Sequence, residues 1–431
     1  MRDEPDAVKR RKLSERHARA LGESDLKQRH VAQMRSAAAR LGFKGYAEAR
    51  ERISETDYGQ LLNSFDAVLS RLEDRYFEQL RVSFETAGIP FQQAGYWDVA
   101  HWQKKYDQEH VFTGKNLLPV IEATVSELGI QPERADAIAI DFEHRASKQT
   151  RPFCIPIRIP DEIKIVILPE NGSRHYAGLL HESGHAHHFA WTNPSLPVEH
   201  RIWGDRALSE SYAFLLEHCI LDPQWLARML LFQKSKEFLH FQSLFRMFLV
   251  RRCAGKLCFA VRLHEQESFA GMPEVYAEIM KAYTGLEHLP ESWLRELPDG
   301  FDSADYLRGW ALESMLREYL CSKYGKAWFL NRSAAGFLKE IWETGLLYRA
   351  DELCRGCEEG NRIDDSEVDG GSAEEEDQVN QKLSASRDDP DLGEHAFFEG
   401  CEDSAAAFDP DRGIMIRQAN KPEDQFVEGS T

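Results

Sequence analysis

The sequence predicts a mainly α-helical protein that also contains one small β-sheet. Apolar residues recur three and four positions apart over stretches such as 58–87, and this helical pattern continues almost without a break from 225 to 350. Only 155–168 alternates apolar with polar residues over a length that suits strands. Because Pro156 and Pro160 interrupt that segment, we expect two short strands at an edge or a bend of the sheet.

The remaining helices are predicted from the same spacing and from the residues at their ends. A charged stretch over 7–41 predicts one or two exposed helices, and a helix over 116–128 is closed by Gly129. Two further stretches, 174–191 and 207–217, are apolar on nearly all sides. Helices of that kind are usually buried, so we expect these two to be buried.

The most informative motif lies on the first of these buried helices, where His181 and Glu182 are followed by His185. Positions four apart share one face of a helix, so both imidazoles can reach one metal ion. Glu182 is turned about 100° from His181 and can face a water on that ion. Gly184 costs about 1 kcal/mol relative to alanine inside a helix, so we expect another backbone or a ligand close to it. The alternative is a core helix that carries two histidines.

A third metal ligand is expected from the second buried helix, 207–217. Glu210 and Glu217 lie seven residues apart and therefore share one face. Carboxylates on an apolar helix are costly unless a positive group offsets them. A metal ion would do so for Glu210, and a metal-bound histidine for Glu217. The alternative is that both pair with arginines such as Arg201 or Arg206.

Three segments carry a resemblance to a known family. Residues 181–188 read H-E-S-G-H-A-H-H and resemble the H-E-x-G-H-x-x-H motif of the thimet oligopeptidase and oligoendopeptidase F family of zinc metallopeptidases. The spacing from His185 to Glu210 also fits that family. Residues 148–154 resemble its K-R-x-G-A-[FY]-C segment, and residues 300–310 its G-Y-x-x-x-Y-Y-x-Y-L-W stretch.

The resemblance covers roughly residues 145–350 and implies a zincin-like helical metallopeptidase domain with a small β-sheet beside the active-site helix. We accordingly divide the chain into an N-terminal helical region (1–145), a catalytic region (146–354) and an acidic tail (355–431). Family members carry a larger N-terminal helical domain that helps to close a channel over the site. Either a more open channel or a truncated form is therefore expected for this chain.

The resemblance also implies how the metal site would work. One zinc ion would be bound by His181, His185 and Glu210, with an open position for water. Zinc lowers the pKa of such a water to near 7. Glu182 would accept a proton from it and later deliver that proton to the leaving amine.

The group that stabilises the oxyanion is less clear from the resemblance. Phe301, Asp305 and Arg308 stand where family members have tyrosines, whereas Tyr306 keeps a phenolic hydroxyl. We therefore expect Tyr306 to donate to the oxyanion, with Arg308 or His288 as helpers. The alternative for Tyr306 is a packed aromatic residue on a helix.

Three other residues are candidates for supporting roles. His188 matches a family position and is expected to support a metal ligand or to face substrate, whereas the neighbouring His187 is expected to pack or to lie at the surface. Glu217 is expected to hold a ligand histidine. Asp205 could orient such a histidine, although a helix N-cap is the stronger expectation.

The predicted function is hydrolysis of short peptides by a zinc-bound water. The alternatives are a zinc hydrolase that cleaves a non-peptide amide, and a catalytically inactive protein of the same fold that binds metal or a partner. Endopeptidase and carboxypeptidase action both remain open. A carboxypeptidase needs a cation for the terminal carboxylate, and Arg308 is the candidate.

Composition limits the partners and the location. The net charge of −19 is concentrated after residue 358, where sparse apolar residues predict disorder. An acidic chain argues against nucleic-acid binding, and no apolar run is long enough to span a membrane. The eight cysteines are scattered, and Cys354 and Cys357 form a lone C-x-x-C with no second pair nearby. Because the start also lacks an apolar signal region, we expect a cytoplasmic protein. The sequence does not indicate an oligomeric state.

Overall fold

A computed structural model describes most of the chain before the acidic tail. It covers residues 1–22, 25–132, 136–145, 148, 151–295 and 301–353. The tail expected over 355–431 and the C-x-x-C motif at 354–357 lie outside the described residues. Within them, no helix combines the length and the apolar character that crossing a membrane requires.

Most of the described residues are helical, which confirms the predicted fold class. The helices are α1 (Ala7–Gly22), α2 (Leu26–Arg40), α3 (Tyr46–Ser54), α4 (Tyr58–Arg71), α5 (Glu73–Thr86), α6 (Val99–Lys105), α7 (Gly114–Leu128), α8 (Ser173–Trp191), α9 (Arg206–Glu217), α10 (Pro223–Leu230), α11 (Lys236–Glu265), α12 (Met272–Thr284), α13 (Asp302–Tyr324) and α14 (Arg332–Glu343). The stretch expected as one helix over 58–87 is two helices. They part at Leu72, whose φ of −104° and ψ of 1° leave the α-helical region.

The sheet has three strands, β1 (Ile138–Asp141), β2 (Phe153–Arg158) and β3 (Glu162–Val166), in the order β1-β3-β2. The last two are the strands predicted over 155–168, and they pair antiparallel. The first was not predicted; it pairs parallel to β3. Both β2 and β3 pack against α8, so the sheet lies beside the helix that carries the metal motif.

Two clusters of buried apolar side chains form the core. The first surrounds α7, α8, α9, α14 and the sheet, and the second surrounds α4, α5, α11 and α12. Helix α9 contributes to both, because Tyr212 and Leu215 lie in the first cluster and Phe214 in the second. The expectation that α8 and α9 are buried helices is confirmed.

Helix α9 is packed unusually closely against its two neighbours. A Cβ at Gly184 of α8 would lie 2.5 Å from both the Ala213 Cα and the Tyr212 carbonyl oxygen of α9. A Cβ at Gly309 of α13 would lie 2.8 Å from the Glu210 Cβ. The close backbone approach predicted from Gly184 is thus confirmed, and glycine is required because any side chain there would push α8 and α9 apart.

We expect Gly184→Ala to destabilise the protein by about 1–3 kcal/mol, the usual cost of forcing an extra carbon into a close-packed interior. The measurement is the free energy of unfolding in urea. Gly336→Ala on α14 is the matched control, because a Cβ there meets nothing within 4 Å. That control should stabilise the protein by up to about 1 kcal/mol through helix propensity. Equal stabilisation by both substitutions would contradict the close contact.

Candidate functional site

The candidate site lies where α8 and α9 face each other. His181 and His185 are one turn apart on α8, and their ring centroids are 4.9 Å apart. Glu210 projects towards them from α9. Its Oε2 lies 3.5 Å from His181 Nε2 and 3.6 Å from His185 Nε2. The structure thus brings together the three residues that the sequence predicted as metal ligands.

This arrangement fits a metal ion. One ligand atom from each of the three residues lies within 4.8 Å of the others. Glu210 is only 6% exposed, and its Oε2 is buried with no hydrogen-bond partner among the described residues. A buried, unsatisfied carboxylate oxygen is costly unless a cation is bound to it. The donor set therefore fits a divalent cation at the point where the two Nε2 atoms and this oxygen converge.

The other ring nitrogen of each histidine contacts a partner on α9. His181 Nδ1 lies 2.9 Å from Glu217 Oε2, and His185 Nδ1 lies 2.8 Å from Ser209 Oγ. A hydrogen bond from Nδ1–H leaves Nε2 free to bind a metal, and it fixes the orientation of the ring. The expected contact between Glu217 and a ligand histidine is present. Ser209 was missed, although its position directly before Glu210 could have suggested it.

Glu217 belongs to a buried network of charges. Arg246 of α11 lies 3.7 Å from Glu217 and 3.8 Å from Glu313 of α13. Glu313 accepts a hydrogen bond of 2.7 Å from Arg317, and Arg246 also contacts His218 at 2.7 Å. Burial raises the pKa of Glu217, but its partners, including Arg246, outweigh burial and lower it. Glu217 is therefore ionised.

The two arginines considered from the sequence as partners of the glutamates are engaged elsewhere. Arg201 donates to the Ile159 carbonyl, and Arg206 forms an ion pair with Asp302 at 3.0 Å. Neither forms an ion pair with Glu210 or Glu217.

The pKa values of the two histidines reflect their different numbers of carboxylate neighbours. Burial lowers the pKa of His181, but the neighbouring carboxylates of Glu210 and Glu217 outweigh it and raise the value to about 10. Burial dominates at His185 and lowers its pKa to about 4. Burial opposes ionisation of Glu210, yet the two histidines lower its pKa. The cluster thus favours a positive charge between its ring nitrogens and carboxylates.

Glu182 lies beside this cluster and faces a cleft. Its pKa is raised, chiefly because burial disfavours the carboxylate. A positive charge on Arg151 and a hydrogen bond from the Cys154 backbone act in the opposite direction. A carboxyl group with a raised pKa is suited to accepting and releasing a proton.

The cleft has a volume of about 320 Å³ and is lined by side chains of α8, α9, α11 and α13. Its polar lining residues include His181, Glu182 and Glu217. Its apolar lining residues include Phe214 and Trp310. A cleft that combines apolar walls with a few converging polar groups is typical of a ligand site.

Tyr306 lines the same cleft, from α13. Its ring packs edge-on to Phe214 with centroids 6.1 Å apart and is tilted against Trp310 at 6.4 Å. Burial raises the pKa of its hydroxyl, so the group remains a hydrogen-bond donor. Tyr306 therefore lies at the cleft, as expected. Its ring is also packed against other aromatic rings, as the alternative states.

Arg308 does not line the cleft, which contradicts its expected roles as an oxyanion helper and as a cation for a terminal carboxylate. Its two terminal nitrogens donate to the two carboxylate oxygens of Asp205 at 2.8 and 2.5 Å, and it also contacts Asp351. Asp205 in turn accepts a hydrogen bond from the Ala207 backbone and caps α9. Asp205 therefore contacts neither ligand histidine, and the N-cap expectation is confirmed.

His288 is also placed away from the cleft. Its ring stacks on Tyr96 with centroids 4.9 Å apart, and its nitrogens lie 3.4 Å from the Tyr276 hydroxyl and 3.2 Å from the Thr284 hydroxyl. Burial lowers its pKa to about 3, so it is neutral. These contacts contradict the expected role in oxyanion stabilisation.

His188 and His187 are buried on α8. His188 is fully buried, with Nδ1 3.2 Å from Ser209 Oγ and Nε2 3.1 Å from the Gly345 carbonyl. It does not line the cleft, which contradicts the expectation that it faces a ligand there, but it shares Ser209 with His185. His187 contacts the Ser183 carbonyl within the helix, as a packing residue would.

Comparison with known proteins gives matches in structure only. No model of a known protein family matches the chain, and no curated protein matches it in sequence. Two solved structures that it resembles are both described as "putative oligoendopeptidase F". One, from Bacillus anthracis str. Ames, has 15% identity and a TM-score of 0.52, and the match covers 76% of this chain and 57% of that one. The other has 15% identity and a TM-score of 0.61, and the match covers 89% and 69%.

These matches establish the fold. The chain has the mainly helical architecture with a small sheet that its oligoendopeptidase F neighbours have. It spans little more than half of the length of the first neighbour. At this level of identity the likeness shows the fold alone.

We expect Ser209→Ala to weaken Zn²⁺ binding by about 10- to 100-fold, the usual effect of removing a group that orients a ligand histidine. Competition with a chromophoric chelator would measure the affinity. Ser211→Ala is the matched control, because Ser211 lies on the same helix and bonds only to the Leu208 carbonyl. An affinity that is unchanged by Ser209→Ala would show that this contact does not hold His185 in place.

Proposed function

We propose that this chain is a zinc-dependent peptidase that hydrolyses short peptides. The observation that carries the proposal is the buried Glu210 oxygen that faces the Nε2 atoms of His181 and His185. Glu182 directly follows His181 on α8, and both of these residues line the cleft. The peptidase fold of the structural neighbours supports the same function.

The kind and number of donors favour zinc. Two imidazole nitrogens and one carboxylate oxygen form the ligand set of many catalytic zinc sites, in which a fourth position stays open. Imidazole ligands also argue against magnesium or calcium, which prefer oxygen. His181, His185 and Glu210 would hold the ion.

The zinc ion and the protein side chains would have different roles in the reaction. Zinc, when bound, polarises a carbonyl and lowers the pKa of a water. Glu182 accepts a proton from the attacking water and then gives it to the nitrogen of the leaving amine. Its burial suits both steps, because a raised pKa makes the carboxylate a better base and keeps the proton available for the second step.

Tyr306 is proposed to donate a hydrogen bond to the oxyanion that forms on the substrate carbonyl. It lines the cleft with Glu182, and its hydroxyl keeps its proton because burial raises its pKa. A donor that is already in place when charge develops lowers the barrier most, since no reorganisation is needed.

The proposal as a whole is tested with the purified protein and a quenched fluorescent peptide library. Activity should be lost with a chelator and restored by added Zn²⁺, and zinc content should approach one ion per chain. A protein that binds zinc and cleaves no peptide would overturn peptidase function. A protein that cleaves peptides without any metal would overturn the zinc mechanism.

Glu182→Gln should lower kcat by at least about 100-fold, because the amide cannot accept the proton, while zinc stays bound. His185→Ala should lose both zinc and activity. Zinc content and peptide cleavage are measured for each variant. Glu340→Gln serves as the control, because it also removes one carboxylate but lies on α14, which contributes no residue to the cleft lining. Full activity in Glu182→Gln would end the proposed mechanism.

Tyr306→Phe should lower kcat by about 100-fold with little change in KM, because the hydroxyl acts only when the oxyanion forms. Tyr319→Phe is the control on the same helix; its hydroxyl accepts a hydrogen bond from the exposed Lys323, and Tyr319 does not line the cleft. Unchanged kcat in Tyr306→Phe would favour the alternative, in which Tyr306 is only a packed aromatic ring.

A further inference from the structure

The charged side chains that line the cleft are mostly positive. The carboxylates among them are Glu182 and Glu217, and the arginines are Arg151, Arg174, Arg246 and Arg252. Peptidase chemistry at the metal cluster does not by itself require four arginines. Their surroundings show which of them are available to a ligand.

Two of these arginines are already neutralised by carboxylates. Arg174 forms an ion pair with Glu170 at 3.0 Å. Arg246 is 5% exposed and lies between Glu217 and Glu313. Both therefore serve the protein's own charge balance.

Arg151 is different. It is exposed at the cleft, and no carboxylate of the described residues forms an ion pair or a hydrogen bond with it. It precedes Pro152 and the strand β2, which place it beside α8. Its guanidinium is therefore open to a ligand.

Two further cations on α11 add positive charge to this region of the protein. Arg252 of α11 lines the cleft and packs over the ring of Tyr96, 4.9 Å from its centroid. Lys256 follows one turn later on α11. Burial lowers its pKa to about 8, and the charges of Arg252 and Arg151 act in the same direction. Asp302 is the nearby carboxylate that opposes this effect, but it is paired with Arg206.

Arg151 lines the same cleft of about 320 Å³ as Glu182 and Tyr306, the two groups proposed to act on the substrate. An anion bound to Arg151 would therefore lie close to the bond that is cut. Planar guanidinium groups bind carboxylates through two parallel hydrogen bonds, which gives both affinity and orientation.

We propose that Arg151, supported by Arg252 and Lys256, binds a carboxylate of the peptide substrate next to the scissile bond. The carboxylate is either the C-terminus of the peptide or the side chain of an aspartate or glutamate. This inference rests on the proposed peptidase function and adds a substrate class to it. It also assigns to Arg151 the role that the sequence suggested for Arg308.

The test uses matched quenched peptides with a free or an amidated C-terminus and with Glu or Gln beside the cleavage site, which mass spectrometry locates. Wild-type protein should cleave peptides that carry the carboxylate with at least a 10-fold higher kcat/KM. Preference for the free C-terminus indicates carboxypeptidase action, and preference for Glu over Gln indicates an acidic side chain. Equal kcat/KM for all four peptides would overturn the inference without affecting the peptidase function.

The variants Arg151→Gln and Arg151→Lys test whether Arg151 is the residue that binds the carboxylate. Arg151→Gln should reduce the preference to near unity, and Arg151→Lys should retain part of it. Arg262→Gln is the control; Arg262 is an exposed arginine on α11, the helix of Arg252 and Lys256, and it does not line the cleft, so its loss should leave the preference unchanged. If Arg151→Gln lowered kcat equally for charged and neutral peptides, that result would place Arg151 at the oxyanion instead. It would overturn the inference.

A binding measurement separates this inference from the proposed function. Fluorescence anisotropy of labelled peptides in the presence of a chelator reports affinity without turnover. Peptides with the carboxylate should bind about 10-fold more tightly than neutral ones, and Arg151→Gln should remove the difference. That result in a protein with no peptidase activity would refute the proposed function and still support the carboxylate site.

Discussion

The geometry of the site depends on the close contact of α9 with α8 and α13. Gly184 and Gly309 let the three backbones approach to a distance that no side chain would permit. Glu210 stands at the second of these contacts and opposite the histidines of the first helix. Because close-packed backbones cannot slide without clashes, the position of its carboxylate is set by the helix packing itself. The packing thus holds the buried Glu210 oxygen, which has no hydrogen-bond partner among the described residues, facing the two histidines.

A network of charged side chains next to the three candidate metal ligands supports His181 electrostatically. Glu217 orients His181, Arg246 balances Glu217, and Glu313 balances Arg246. Each member is buried or nearly so, and removing one charge would leave its partner uncompensated. The network joins α9, α11 and α13, so the same ion pairs that hold the histidine also connect helices of the two apolar clusters.

The sequence predicted those parts of the site that depend on local spacing. His181, His185, Glu210 and Glu217 were found because helical periodicity alone decides which side chains share a face. The pairing of the two helices followed from their apolar character and from Gly184. The fold class was predicted for the same reason, since long amphipathic or apolar stretches identify helices without any knowledge of their partners.

Contacts between distant segments were not predictable in this way. Arg308 and His288 were assigned to the oxyanion from their order in the chain, but Asp205 and Tyr96 hold them elsewhere. Strand β1 was missed because its parallel partner lies beyond an intervening strand. Arg246 lies on the long helix α11, and the sequence does not show which charged residue of that helix contacts Glu217. Only the folded arrangement shows that it is Arg246.

The position of the cleft between the two apolar clusters has a consequence for the whole molecule. Its walls include Leu221 from the first cluster and Phe214 and Trp310 from the second. A ligand that filled the cleft would contact both apolar clusters and bridge them. Since a ligand that binds only the native state adds its binding free energy to stability, such a ligand would also hold the two clusters together. Resistance to heat and to proteolysis would therefore rise and fall with the concentration of that ligand.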